Sequence, residues 1–129
     1  MLLNVCIAKL HRATVTDANP LYMGSITIDE AIIEAAGLLP GQMVQITNFS
    51  NGVLWRTYVL AGKRGKGEII LNGPPSRHFQ RGDLIIVLGE AWVDSKDAAK
   101  MKGPTVVFFE GTGKNPNKIK SVKKSWRPA

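Results

Sequence analysis

A serine that directly follows a glycine just beyond a turn sets a hydroxyl beside an unshielded carbonyl, and Gly24-Ser25 stands in this way after Asn19-Pro20. Attack of the hydroxyl on the preceding carbonyl turns the amide into an ester, and elimination followed by hydrolysis leaves a pyruvoyl group at the new N-terminus. Glycine favours the attack because it has no side chain to shield the carbonyl and tolerates a strained backbone. On its own, however, the dipeptide ordinarily marks a loop. Other chemistries find no motif. Gly62-Lys63-Arg64-Gly65-Lys66-Gly67 lacks the strand–loop–helix setting of a phosphate cradle. The two histidines, His11 and His78, have no paired ligand spacing for a metal. No motif places a serine, a base and an orienting acid as a hydrolase triad. The lone Cys6 excludes an internal disulfide or a Cys-based zinc cluster and reads as a small hydrophobe on a strand.

The elements that must position this bond are mostly strands. Residues 3–16 are rich in β-formers and free of Gly and Pro, which predicts a long strand with Val5, Ile7, Lys9 and His11 on one face. Lys9 and His11 together suggest an anion site. Residues 17–20 read as a turn. Asp29 is placed to cap a short helix over 30–36 that ends at Gly37 and buries Ile28, Ile32, Ile33 and Ala36. Residues 43–49 and 53–60 read as strands joined at Ser50-Asn51-Gly52, where Asn and Gly both tolerate positive φ. A basic turn over 63–67 precedes a short strand over 68–71, which ends at Asn72-Gly73-Pro74-Pro75. Residues 84–88 are so uniformly apolar that a fully buried strand is expected. Residues 93–102 suggest a short polar helix, and 105–109 a last strand. The spacing predicts a mainly β fold, a closed barrel with one or two short helices.

At 129 residues and 44% hydrophobic, the chain suits one domain, expected over residues 1–110. It has no apolar run near the ~20 residues of a membrane span. Its N-terminus lacks the layout of a signal peptide, so a soluble cytoplasmic protein is expected. The net charge is +7, yet residues 1–110 hold 11 Lys and Arg against 10 Asp and Glu. The excess lies in Lys114, Lys118, Lys120, Lys123, Lys124 and Arg127, so residues 111–129 read as a basic, flexible tail. A near-neutral body argues against a nucleic-acid-binding domain.

Several blocks, in order and spacing, resemble the pyruvoyl-dependent aspartate 1-decarboxylases over roughly residues 1–110. They are Lys9-Leu10-His11-Arg12, the run from Tyr22 through Gly24-Ser25 to Asp29, Ala35-Ala36-Gly37, Asn48, Asn51-Gly52, Thr57-Tyr58, Asn72-Gly73, Gly82-Asp83 and Phe109-Glu110-Gly111. The resemblance implies a double-psi β-barrel assembled as a homotetramer with sites between subunits. It implies self-cleavage between Gly24 and Ser25, with Ser25 becoming the pyruvoyl cofactor, so that neither PLP nor a metal is needed. The ketone would form a Schiff base with the amine of a small amino-acid substrate, with Tyr58 as proton donor. Tyr22, Thr57 and Asn72 would shape processing or the pocket. Lys9, His11, Thr57, Gly73, Pro74 and Pro75 would contact the substrate. An accessory maturation protein assists some relatives, and no nucleic-acid or membrane partner is implied.

The chain departs from the family where it would recognise substrate. Leu54 replaces the usual arginine and Thr47 the usual tryptophan, while Pro74 and Pro75 replace a pair of small residues. In one reading Arg56, two positions on and on the same strand face, receives the carboxylate of L-aspartate with Lys9; Arg56→Ala then abolishes turnover but not self-cleavage. In another, the pocket around Leu54 serves a different, less acidic or larger amino acid. A non-enzymatic β-barrel module binding polyanions through its tail, and an uncut structural subunit, are the remaining readings.

Overall fold

The computed structural model describes residues 1–111 and 113–124, and these form a mainly β, barrel-like fold. Its strands are β1 (Leu2–Thr14), β2 (Asp17–Asn19), β3 (Ser25–Asp29), β4 (Met43–Asn48), β5 (Leu54–Gly62), β6 (Ile69–Asn72), β7 (Leu84–Asp94), β8 (Thr105–Phe109) and β9 (Ile119–Lys123). They join one sheet in the order β2-β6-β3-β5-β4-β7-β1-β8-β9. The pairs β1/β8, β2/β6 and β3/β5 are parallel and the others antiparallel. Leu10, Ile26, Ile28, Val44, Ile46, Val59, Leu71, Ile85, Val87 and Val107 fill the inner face. Each such fully buried aliphatic side chain contributes roughly 1.5–3 kcal/mol.

Helix α1 (Glu30–Ala36) has the expected bounds and buries Ile32, Ile33 and Ala36. The Asp29 carboxylate caps it by accepting from the Ala31 N–H, and also accepts from Gly65 N–H and Gly67 N–H. The basic turn is thereby fixed to the end of β3. The polar helix expected over 93–102 shrinks to the single turn α2 (Ser95–Ala98), because β7 runs on to Asp94. Strand β7 is not buried on both sides as its apolar run suggested: inner Ile85 and Val87 alternate with half-buried Ile86 and Leu88. Residues 17–19 form β2 beside β6 rather than a turn, since Asp17 to Asn19 pair with Ile70 to Asn72. At the hairpin between β4 and β5 only Gly52 takes a positive φ; Asn51 instead accepts from the Val53 N–H and donates to the His78 carbonyl.

The basic tail also departs from the flexible segment expected. Residues 119–123 form β9 along β8, an edge strand whose lysines stay in water, and residues 125–129 lie outside the described residues. Buried Asn117 anchors the approach: its Oδ1 accepts from Thr14 N–H at 2.7 Å, and its Nδ2 donates to the carbonyls of Thr14 and Gly67. Asn117→Ala takes this partner from the buried Gly67 carbonyl and from two part-buried backbone groups of Thr14 and is expected to cost about 2–4 kcal/mol. A lower urea midpoint at unchanged slope checks this.

Candidate active site

Strand β3 starts at Ser25 and lies between β6 and β5, so residues from both flank the serine. Ser25 faces Asn72 across the antiparallel pair and is 1% exposed. The Asn72 Nδ2 donates to Ser25 Oγ at 3.0 Å and to Thr27 Oγ1 at 3.1 Å. The amide thus holds the hydroxyl by one of its lone pairs and leaves the O–H proton free to depart. On the other side Ile26 lies opposite Val59, so Tyr58, one residue earlier, stands beside Ser25. Thr57 is buried on the opposite face of β5, with Val44 across from it on β4.

Backbone leaves no room for a side chain between Gly73 and Gly24. Gly73 has φ +106, and a Cβ built there would lie 2.7 Å from the Gly24 Cα. The Gly73 N–H donates to the Asn19 carbonyl at 2.8 Å, which ties the loop after β6 to the turn before Gly24. A 3-10 helix over Pro74–His78 follows, with Pro74 exposed and Pro75 half-buried. In this helix Ser76 Oγ is buried and has no hydrogen-bond partner among the described residues. Trp55 borders Gly24 from within, its ring 4.0 Å from where a Gly24 Cβ would sit. Tyr22 is largely exposed, two residues before Gly24.

Lys9 and His11 are not brought to Ser25 by one chain: along the sheet β1 lies four strands from β3. They continue the outer face of β5 instead. One row of paired residues runs Leu54, Thr47, Ile86, His11, Phe108, Ser121, and the next runs Arg56, Gln45, Leu88, Lys9, Val106, Lys123. His11 meets Phe108 edge-on at 5.6 Å between ring centres. Burial, and then the charges of Lys9 and Arg12, push the His11 imidazole below its usual pKa.

Arg56 is not a spare cation for a carboxylate. Its Nε donates to Glu90 Oε2 at 2.7 Å and its Nη2 to Oε1 at 3.0 Å, a fork that matches its charge. Glu90 also accepts from Asn4. The hydrogen bonds from Arg56, then that from Asn4, hold the Glu90 carboxyl below the usual range. Leu54 beside it is 61% exposed. Three residues of the site escaped the sequence reading. Thr27 carried a signal, being two residues after Ser25 on one strand face. Trp55 and Glu90 carried none, because pairings across the sheet place them.

Fold and site define a small β-barrel-like protein that holds a serine hydroxyl, buried and oriented, next to a glycine-serine peptide bond. The sequence model of the aspartate decarboxylase family matches residues 1–116. The aspartate 1-decarboxylase of Pelotomaculum thermopropionicum is 47% identical over 114 residues, covering 88% of this chain and 86% of the relative. That of Syntrophus aciditrophicus is 50% identical over 103 residues, 80% of this chain and 88% of the relative. That of Bacteroides thetaiotaomicron is 44% identical over 108 residues, 84% and 92% respectively. The chain belongs to the aspartate decarboxylase family and is an enzyme, a carboxy-lyase. No helix among the described residues is long and apolar enough to cross a membrane.

Proposed function

We propose that this chain cuts itself between Gly24 and Ser25 and, with the resulting pyruvoyl group, converts L-aspartate to β-alanine and carbon dioxide. The reading gives it a place in the cytoplasm, supplying β-alanine for pantothenate and coenzyme A. The observation that carries it is the buried Ser25 hydroxyl held by Asn72, beside a Gly24 against which Gly73 is packed.

Ser25 Oγ adds to the Gly24 carbonyl carbon, the C–N bond breaks, and an ester and a free amine result. Loss of the Ser25 Cα proton breaks the Cβ–Oγ bond, and Gly24 departs as a carboxylate. The remaining enamine becomes an imine, water replaces its nitrogen, and ammonia leaves the pyruvoyl group behind. Two features support the precursor step: Asn72 holds the Ser25 hydroxyl, and the lack of a side chain on Gly24 leaves its carbonyl open. The pyruvoyl group supplies an electron sink for decarboxylation of an amine substrate. Tyr58, flanking Ser25, is placed to deliver the proton that replaces the carboxylate. Gly73 packs against Gly24, and Pro74 and Pro75 follow it in the same loop, where they would meet the substrate; Thr57, on the inner face of β5, would act on the pocket from behind Tyr58. Lys9 and His11 complete the site from a neighbouring subunit of a homotetramer, since their own Ser25 lies four strands away.

A second reading is favoured by exposed Leu54 and by the Arg56–Glu90 pair: a substrate without a side-chain carboxylate. Denatured wild-type protein is expected to give two masses, residues 1–24 and a blocked chain from residue 25. A panel of amino acids should release carbon dioxide chiefly from L-aspartate. A single chain of 14.1 kDa after long incubation overturns the cleavage, and activity only with another amino acid overturns the substrate. Because Glu90 matches its charge, Arg56→Ala is expected to keep kcat/KM for aspartate within about threefold, not abolish it.

A further inference from the structure

Two irregularities in the sheet meet at one cleft. The register of β1 on β7 shifts between His11 and Ala13, and that of β8 on β9 shifts between Phe108 and Phe109. A regular strand sends successive side chains to opposite faces, whereas a bulge re-aims one of them. Here His11 and Arg12, Phe108 and Phe109, and Lys120 and Ser121 line the same cleft of about 450 Å³ together with Lys123. Arg12 has φ +59 and is the one non-glycine residue with a positive φ among the described residues. Such a backbone persists only where its surroundings impose it, and it occurs often at binding sites.

The lining contains three permanent cations, Arg12, Lys120 and Lys123, the His11 imidazole, and no carboxylate. None of the three enters an ion pair among the described residues. Arg12 lies over the Phe49 ring at 5.3 Å and Lys123 over Phe108 at 5.7 Å. Lys9 stands in the row of Lys123, separated from it by Val106. Unpaired positive charge is therefore gathered on the outer face of the sheet, at the β1/β8/β9 end.

We propose that this cleft binds a small carboxylate, a short dicarboxylate above all, with its anionic ends on Arg12, Lys120 and Lys123 and its carbon chain against Phe108. Phosphate is the poorer fit, because it offers no apolar body to the two rings. The carboxylate has two sources: the side chain of aspartate held at the neighbouring subunit's reaction centre, or a free carboxylate bound apart from it. In the first case the inference rests on the decarboxylase reading.

Succinate, which has two carboxylates and no amine, is the probe, titrated calorimetrically into the full-length wild-type protein. The double variant Lys120→Gln, Lys123→Gln should weaken binding by at least about tenfold, whereas Lys118→Gln, Lys124→Gln, with the same loss of charge, should not. Arg12→Gly, which suits the left-handed backbone, should weaken it as well. If KM for aspartate rises in the first double variant and succinate competes with aspartate, the carboxylate is the substrate's own. If KM is unchanged and both ligands bind together, it is a free carboxylate; either result supports the site. Absence of succinate binding, equal loss in both double variants, or equally effective displacement by inorganic phosphate overturns it. Failure of the decarboxylase reading shows separately, as wild-type protein that binds succinate but releases no carbon dioxide.

Discussion

Ser25→Ala protein is expected to remain a single chain of 14.1 kDa and to lose decarboxylation by at least roughly ten-thousand-fold. Hydrogen in place of hydroxyl removes the oxygen proposed to add to the Gly24 carbonyl, and with it the precursor of the ketone. The fold should be intact, because β3 keeps its pairings with β5 and β6 and the lost side-chain hydrogen bond is a single one from Asn72. Intact mass and carbon dioxide release, measured on one sample, check both halves. Asn72→Ala provides the graded comparison: the nucleophile stays but is no longer held, so cleavage should slow by roughly ten- to a hundredfold. Cleavage of Ser25→Ala at the wild-type rate would refute the assignment of the nucleophile.

Gly73→Ala should be nearly as damaging to maturation, for a steric reason. The Gly73 φ of +106 is strained for any L side chain, and the new Cβ would lie 2.7 Å from the Gly24 Cα. That neighbour is backbone at the proposed cleavage site, so relief requires moving the bond that would have to be aligned. Self-cleavage is expected to fall at least about a hundredfold and stability by about 2–4 kcal/mol. Gly41→Ala separates the two causes. Gly41 also has a positive φ, +88, but no atom stands within 4 Å of its Cβ position. It should cost only about 1 kcal/mol and leave cleavage unchanged. A mass time course and a denaturation curve for each variant test the pair.

The parts of this molecule that were legible in the sequence are those decided locally. Helix α1 could be bounded because its cap, its stop and its apolar spacing all fall within nine residues, Asp29 to Gly37. Strands β4 and β8 were found from short runs of β-formers, and the Gly24-Ser25 bond could be proposed as a reactive site from covalent chemistry that needs only two neighbours. What escaped was decided at long range. The pair Arg56 and Glu90 is 34 residues apart in sequence, and no local pattern warns that the cation is already matched. Strand β9 looked like a solvated tail because composition records its lysines but not the free edge of β8 that receives it. The apolar run 84–88 signalled burial, but the one-sided exposure of β7 depends on what covers the outer face of the sheet, which the sequence does not record.

Strand β1 lies between β7 and β8, hydrogen-bonded on both sides, and it belongs wholly to the piece upstream of the proposed cut. Cleavage at Gly24 therefore severs the chain without releasing a fragment: residues 1–24 carry a strand internal to the sheet. Maturation changes the order of the folding reaction. Within one subunit the uncut chain would recover β1 in a first-order step, whereas a cut chain, once denatured, would have to recover it by collision between two separate polypeptides. Its refolding half-time should lengthen on dilution while its unfolding rate stays independent of concentration. Maturation is in this sense a one-way passage for the fold as well as for the peptide bond.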